Sequence, residues 1–116
     1  MPRGLRRGEI WWLNLRDPIG SEPGYRRPAL IISADAMNSS RIRTVLAAVL
    51  TTNLNLADAP GNVLVTADET GLPKNSVVNV SQVVTADKQF FSEYVGKLAP
   101  DAMLRVAAGL RLAMAL

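Results

Sequence analysis

The chain contains no cysteine and no histidine. Without cysteine there is no disulfide, no thiolate metal site and no thiol nucleophile, and the absence fits a cytosolic protein. Without histidine, the commonest metal ligand and the commonest general base are both missing. Any catalysis must be carried by carboxylate, guanidinium, ammonium, hydroxyl or amide groups. The acids are scattered singly, so no catalytic metal site and no cofactor is expected. The glycines form neither a P-loop nor a G-x-G-x-x-G fingerprint. The longest apolar run, Val45-Leu46-Ala47-Ala48-Val49-Leu50, is far too short to cross a bilayer. The basic start, Met1 to Gly8, lacks the long apolar stretch of a signal peptide. The expectation is a soluble, cytoplasmic protein with no membrane partner.

What is present is enough for a core. The chain has 116 residues, 48% of them hydrophobic, which suits a single folded domain spanning residues 1–116 and argues against disorder. No internal repeat, linker or low-complexity segment divides it. The net charge is +3, and its distribution says more than its size. Residues 1–43 hold eight arginines against four acids, giving +4; residues 44–116 hold five basic groups against six acids, giving −1. Ten of the 13 basic residues are arginine, the side chain whose planar fork of donors matches phosphate oxygens. A nucleic-acid partner is one reading of this bias, and a solvated surface is the other.

Aromatic and β-branched residues predict a strand over residues 9–15. Pro18, Gly20, Pro23 and Gly24 punctuate a loop over 16–26. A continuous apolar strand buried on both faces is expected over 28–33, and a loop or short helical turn over 34–41. A further strand over 43–52 is favoured by its length and β-branched content. A loop over 53–61, a short strand over 62–67, a turn over 68–75 and a strand over 76–85 follow. Residues 86–99 are ambiguous, with a short strand around Phe90-Phe91 and Tyr94-Val95. From Pro100 the period becomes helical, with Met103, Val106, Ala107, Leu110 and Met114 on one face and Pro100-Asp101 as a helix start. Short strands with Gly/Pro turns and one terminal helix predict a mainly β fold, a small barrel or sandwich.

The most informative segment is Gly20-Ser21-Glu22-Pro23-Gly24-Tyr25-Arg26-Arg27-Pro28-Ala29-Leu30-Ile31-Ile32-Ser33. Pro28 biases Arg27 toward an extended conformation, which fixes that arginine where the loop meets the strand. Arg27 could bind a phosphate or form a structural ion pair. Glu22 could accept a proton or pair with Arg26. Thr51 and Thr52 close the long apolar strand, where a hydroxyl can point into a cleft; threonine is also simply a good β former. Ser76, Asn79 and Gln82 could read a base edge or be hydrated at a sheet edge. Their spacing puts Ser76 and Gln82 on one face and Asn79 on the other. Trp11 and Trp12 point to opposite faces, one into the core and one near the surface, where it could stack on a base or pack in a dimer.

The pattern Gly8-Glu9-Ile10-Trp11, Gly20-Ser21-Glu22, Arg27-Pro28-Ala29-Leu30-Ile31-Ile32-Ser33 resembles the MazF/PemK (Kid) family of toxin endoribonucleases. The similarity continues through Ala47 to Thr52, Pro60-Gly61-Asn62-Val63, Leu72 to Asn79 and Ser81 to Lys88, nearly the whole chain in order. The resemblance implies an SH3-like β-barrel with a C-terminal α-helix, usually a homodimer. It implies metal-independent, sequence-selective cleavage of single-stranded RNA (mRNA), and a cognate MazE-like antitoxin with an acidic, disordered C-terminal segment. The family's catalytic arginine maps onto Arg27, its threonine onto Thr51 and its loop acid onto Glu22. Ser21, Pro23, Arg26, Thr52, Ser76, Asn79 and Gln82 are the candidate RNA contacts. Pro23 stands where many relatives carry glutamine, and Tyr25-Arg26 also departs from the pattern, so the recognition sequence does not transfer.

Such chemistry needs no histidine, because RNA supplies its own nucleophile, the 2′-OH. Arg27 suits charge stabilisation at phosphorus, Thr51 can donate a hydrogen bond there, and Glu22 is a candidate proton acceptor. Two other classes share the fold or its charge. A CcdB-like gyrase inhibitor would act through a Trp-Gly-Ile-type tail, whereas this chain ends Arg111-Leu112-Ala113-Met114-Ala115-Leu116. A non-catalytic RNA-binding barrel would not need Arg27 and Thr51 together.

Overall fold

A computed structural model describes residues 4–16 and 25–116. Six strands form one antiparallel sheet, β1 (Glu9–Arg16), β2 (Tyr25–Ile31), β3 (Thr44–Thr51), β4 (Val63–Val65), β5 (Ser76–Asp87) and β6 (Phe91–Lys97). Their order across the sheet is β4-β5-β3-β2-β1-β6. The sheet curls into an open barrel whose edges, β4 and β6, are not paired to each other among the described residues. Two single-turn helices, α1 (Asp35–Asn38) and α2 (Ala67–Thr70), sit in connections, and the long helix α3 (Pro100–Met114) closes the described chain. The expected mainly β fold with a C-terminal helix is the one observed.

The continuous apolar runs of β2 and β3 arise because both faces of the sheet are buried. Along β2, Leu30 enters one core with Ile10, Ala48, Leu50 and Val78. Its neighbours Ala29 and Ile31 enter a second core with Trp11, Leu13, Val45 and Ala47. α3 covers the first core through Ala102, Val106 and Leu110. Phe91 of β6 helps to fill the second. Full burial of each such leucine, isoleucine or valine contributes roughly 1.5–3 kcal/mol, so this double core fixes the β2–β3 register more firmly than hydrogen bonds alone.

Several boundaries differ from the sequence expectation. β2 begins at Tyr25, three residues before the expected start, because Arg26 and Arg27 already pair with Asn14 and Leu13 of β1. α2 replaces an expected turn. Its capping box is complete: Thr66 Oγ1 accepts from the Glu69 amide at 3.1 Å, and Glu69 Oε1 accepts from the Thr66 amide at 2.9 Å. Gly71, at φ +86°, ends it. The T-x-x-E signature was present in the sequence.

β5 breaks its own alternation. From Ala48 to Leu50 on β3 the partner moves from Val83 to Val78 on β5, so the strand bulges there. Val78 and Val80 face the helix-side core, and so does Val83, while Val84 and Ala86 face the other. The parity changes inside the bulge, and the shared face expected for Ser76 and Gln82 is lost. Asn79 Oδ1 accepts from the Ser81 amide at 3.2 Å, and Asn62 Oδ1 from the Val80 amide at 2.9 Å. Those side chains replace the missing ladder partners.

α3 runs where the sequence places it, with Pro100 in its first turn and an αL cap at Ala115. Its core face is not wholly the expected one. Ala102 and Gly109 are buried, whereas Met114 is 47% exposed, because the last turn runs past the apolar surface of the sheet. Gly109 allows the helix to touch the backbone of the Pro60-Gly61 turn, where a Cβ would overlap the Gly61 carbonyl oxygen. Replacing a helix-interior glycine with alanine ordinarily stabilises by about 0.5–1 kcal/mol. Here the collision dominates, and Gly109→Ala should destabilise by about 1–3 kcal/mol. Urea unfolding checks the sign: a lower midpoint at unchanged slope is expected, and a higher midpoint contradicts the close docking.

Candidate active site

One end of the sheet gathers the start of β2, the end of β3, the start of β5 and the loop before it. They enclose a cavity of about 170 Å³. Its apolar part is Trp12, Pro28, Leu50, Leu72 and Pro73, and its polar part is Arg27, Thr51, Thr52, Lys74 and Ser76. The register explains the meeting. β2 pairs with β3 at Ala29↔Val49, Leu30↔Ala48 and Ile31↔Ala47. Extending that antiparallel register by two residues sets Arg27 across from Thr51 on the same face of the sheet.

The hydroxyls at this end differ in what they offer. Thr51 Oγ1 accepts from the Asn53 amide at 3.1 Å. That bond fixes the oxygen and leaves the hydroxyl hydrogen to donate elsewhere. Ser76 is buried, and its hydroxyl donates to the Lys74 carbonyl at 3.2 Å. Its hydrogen is spent on the loop, so Ser76 can present only lone pairs. Lys74, beside it, adds a second cation to that of Arg27. Two cations and a hydroxyl donor over an apolar floor make a site for an anion attached to a flat or apolar group.

The adjacent tryptophans divide as expected. Trp11 is buried; its Nε1 donates to Glu9 Oε1 at 3.1 Å, and its ring meets Tyr94 edge to face, with centroids 5.7 Å apart. Trp12 is half-buried and forms a wall of the cavity. The Arg26 guanidinium lies 4.5 Å from the Trp12 ring centroid, and its Nη2 reaches Glu93 Oε1 at 3.3 Å. Both charged groups of that pair are well exposed, so the ion pair is worth about 0–1 kcal/mol and the stacking roughly 0.5–1 kcal/mol. Arg26 therefore braces Trp12 more than it stabilises the fold.

Of the residues singled out in the sequence, Arg27, Thr51, Thr52 and Ser76 line this cavity, and Arg26 stacks on its wall. Asn79 and Gln82 do not line it; they lie in the β5 bulge, where Asn79 is engaged with Ser81. Ser21, Glu22 and Pro23 fall outside the described residues. Sequence reasoning missed Lys74 and the Leu72-Pro73 wall as cavity residues, and it offered Trp12 only as one of two tryptophans of which the one near the surface could stack on a base. The Leu72-Pro73-Lys74 turn precedes a strand much as the loop before Arg27 does, and that was the available signal. Among the described residues no group of three or more His, Cys, Asp or Glu could hold a metal ion.

Fold and site thus define a small open β-barrel with a basic, hydroxyl-bearing cavity at one end of its sheet. The profile of the family described as PemK-like, MazF-like toxin of type II toxin–antitoxin system matches residues 6–114. The chain belongs to this PemK/MazF toxin family. Endoribonuclease MazF6 of Mycobacterium tuberculosis is 47% identical over 107 residues, covering 92% of this chain and 94% of that protein. The MazE-MazF structure from Deinococcus radiodurans superposes with a TM-score of 0.81 at 23% identity, covering 98% of both chains. An endoribonuclease in complex with its cognate antitoxin, from a mycobacterial species, gives 0.77 at 25% identity over 97% of this chain and 96% of that one.

Proposed function

We propose that this chain is the toxin of a toxin–antitoxin pair and a sequence-selective endoribonuclease that cuts single-stranded RNA, chiefly mRNA, and so stops translation in the cytoplasm. The observation that carries the reading is the convergence of Arg27 and Thr51 on one cavity. The names of the relatives described above support it.

In this reading the scissile phosphate sits between Arg27 and Thr51. The 2′-oxygen attacks phosphorus, the new O2′–P bond forms, and the P–O5′ bond breaks. The products are a 2′,3′-cyclic phosphate and a 5′-OH end. The attacking hydroxyl gives up its proton, for which Glu22 is the proposed acceptor, and the departing 5′-oxygen takes one from water. Arg27 and Lys74 neutralise charge that builds on the non-bridging oxygens, and the Thr51 hydroxyl donates to the same centre. A guanidinium has no lone pair with which to take the proton, so a carboxylate suits that role better. Bases flanking the cut would lie against Trp12 and its Arg26 brace, with Ser21, Pro23, Thr52, Ser76, Asn79 and Gln82 as further contacts. No metal enters any step. Cleavage should persist in excess EDTA, leave 2′,3′-cyclic phosphate ends and fail on RNA carrying a 2′-deoxy sugar at the cut. A strict Mg²⁺ requirement, or equal cleavage of the deoxy substrate, would overturn the mechanism.

The working form is proposed to be a homodimer. α3 carries an exposed row, Leu104, Ala108 and Leu112, at helical spacing of four. Leu104 is 72% exposed and Leu112 is 64% exposed, a pattern that suits burial against a second copy. A paired groove would take the antitoxin's acidic, disordered segment along the same track as RNA. Light scattering should report a dimer for the wild type and a monomer for Leu104→Glu/Leu112→Glu. A double variant that remains dimeric would place the interface elsewhere.

A further inference from the structure

The cavity uses Arg26 and Arg27, but it leaves the arginines that precede β3 without a role. Arg41 and Arg43 flank a separate depression of about 340 Å³, which they line together with Ile42, Asp87, Lys88 and Gln89. The depression is ordered from below. Lys88 Nζ donates to the Ser40 carbonyl at 3.0 Å, and the Lys88 amide to the Arg43 carbonyl at 2.8 Å. Its one carboxylate, Asp87, accepts from the Gln89 amide at 3.0 Å. The rim thus carries three cations against one acid that is already engaged. Among the described residues neither the Arg41 nor the Arg43 side chain has an ion-pair or hydrogen-bond partner. Ile42, 51% exposed, is one of the lining residues, and Phe90, 43% exposed, follows Gln89 in the chain.

Two guanidinium forks and an ammonium on one rim, with an exposed phenylalanine next in the chain, offer what a single strand uses: donors for phosphates and a face for a base. β3 separates the two sites. It spans Thr44–Thr51, with Arg43 before one end and Thr51 in the cavity at the other, about 25 Å apart at ~3.3 Å per residue. We infer that the Arg41/Arg43/Lys88 depression is a second RNA-backbone site. It grips phosphates several nucleotides from the cut and makes long RNA a better substrate than a short oligonucleotide. This rests on the endoribonuclease reading above.

The test is Arg41→Gln/Arg43→Gln, both exposed and outside the cavity, so the fold and the reacting site are untouched. Two substrates share one cut sequence: a short oligonucleotide that fills only the cavity, and the same sequence extended on both sides. The double variant should cut the short one at the wild-type rate and lose about tenfold in kcat/KM on the long one. With extended RNA made inert by a 2′-deoxy sugar at the cut, the slope of log K against log salt should fall by about 1.4, from two lost phosphate contacts at ~0.7 each. Equal losses on both substrates, no loss on either, or an unchanged slope would overturn the second site. So would weakened binding of an acidic antitoxin peptide with RNA binding intact. If the wild type cuts neither substrate, the endoribonuclease reading falls, and the salt slopes still decide the second site.

Discussion

The register between β2 and β3 is the constraint on which the molecule depends. It is set by burial on both faces: Leu30 lies in one core, and Ala29 and Ile31 lie in the other. A slip of one residue would send every one of these side chains to the wrong face. The same register, continued to the sheet's end, brings Arg27 across from Thr51. The core therefore aims the site. An arginine held by a strand inside a doubly buried sheet is preorganised without strained backbone, since the only non-glycine positive φ among the described residues is at Ala115, far along the chain.

Much of this was legible in the sequence because it follows from local chemistry. Arg27 stood out through Pro28 and the apolar run behind it, and Thr51 through its place at the end of another such run. The terminal helix announced itself by its change of period and by Pro100. What was not legible depends on tertiary geometry. Trp12 became a cavity wall only because β1 pairs Trp12 with Pro28. Lys74 joined the site only because the loop before β5 folds over it. The β5 bulge reversed the faces of later residues, and simple alternation cannot foresee an inserted residue. α2 is different: its capping box is written in Thr66 and Glu69, but the nearby Gly71 and Pro73 are the stronger local signal and read as a turn.

The charge pattern gains a meaning from the fold. The arginine-rich first part of the chain is not one basic patch. It contributes Arg26 and Arg27 to the cavity end of β2 and Arg41 and Arg43 to the opposite end of β3. Arg7 serves the fold, donating to the Ile32 carbonyl, while its amide reaches Asp35 Oδ1 at 2.7 Å. That amide, assisted by Asn38, Arg6 and Lys97 against some desolvation, holds the Asp35 carboxyl below the ordinary aspartate value of 3.8. A depressed carboxyl of this kind stabilises the fold above that value, and its contribution fades as the pH falls through the lowered one. Only acid below that value should therefore weaken the contact between Asp35 and the Arg7 amide, and neutral pH leaves it intact.

The central claim is that the cavity at the end of β2 and β3 holds the reacting phosphate and that Arg27 stabilises it there. Single-turnover cleavage of RNA by Arg27→Ala, with urea unfolding of the same preparation, tests this most directly. The account predicts a rate at least about 10²-fold lower, as for the loss of one preorganised transition-state donor, with the unfolding midpoint nearly unchanged. Cleavage close to the wild-type rate by a fully folded Arg27→Ala protein would contradict it.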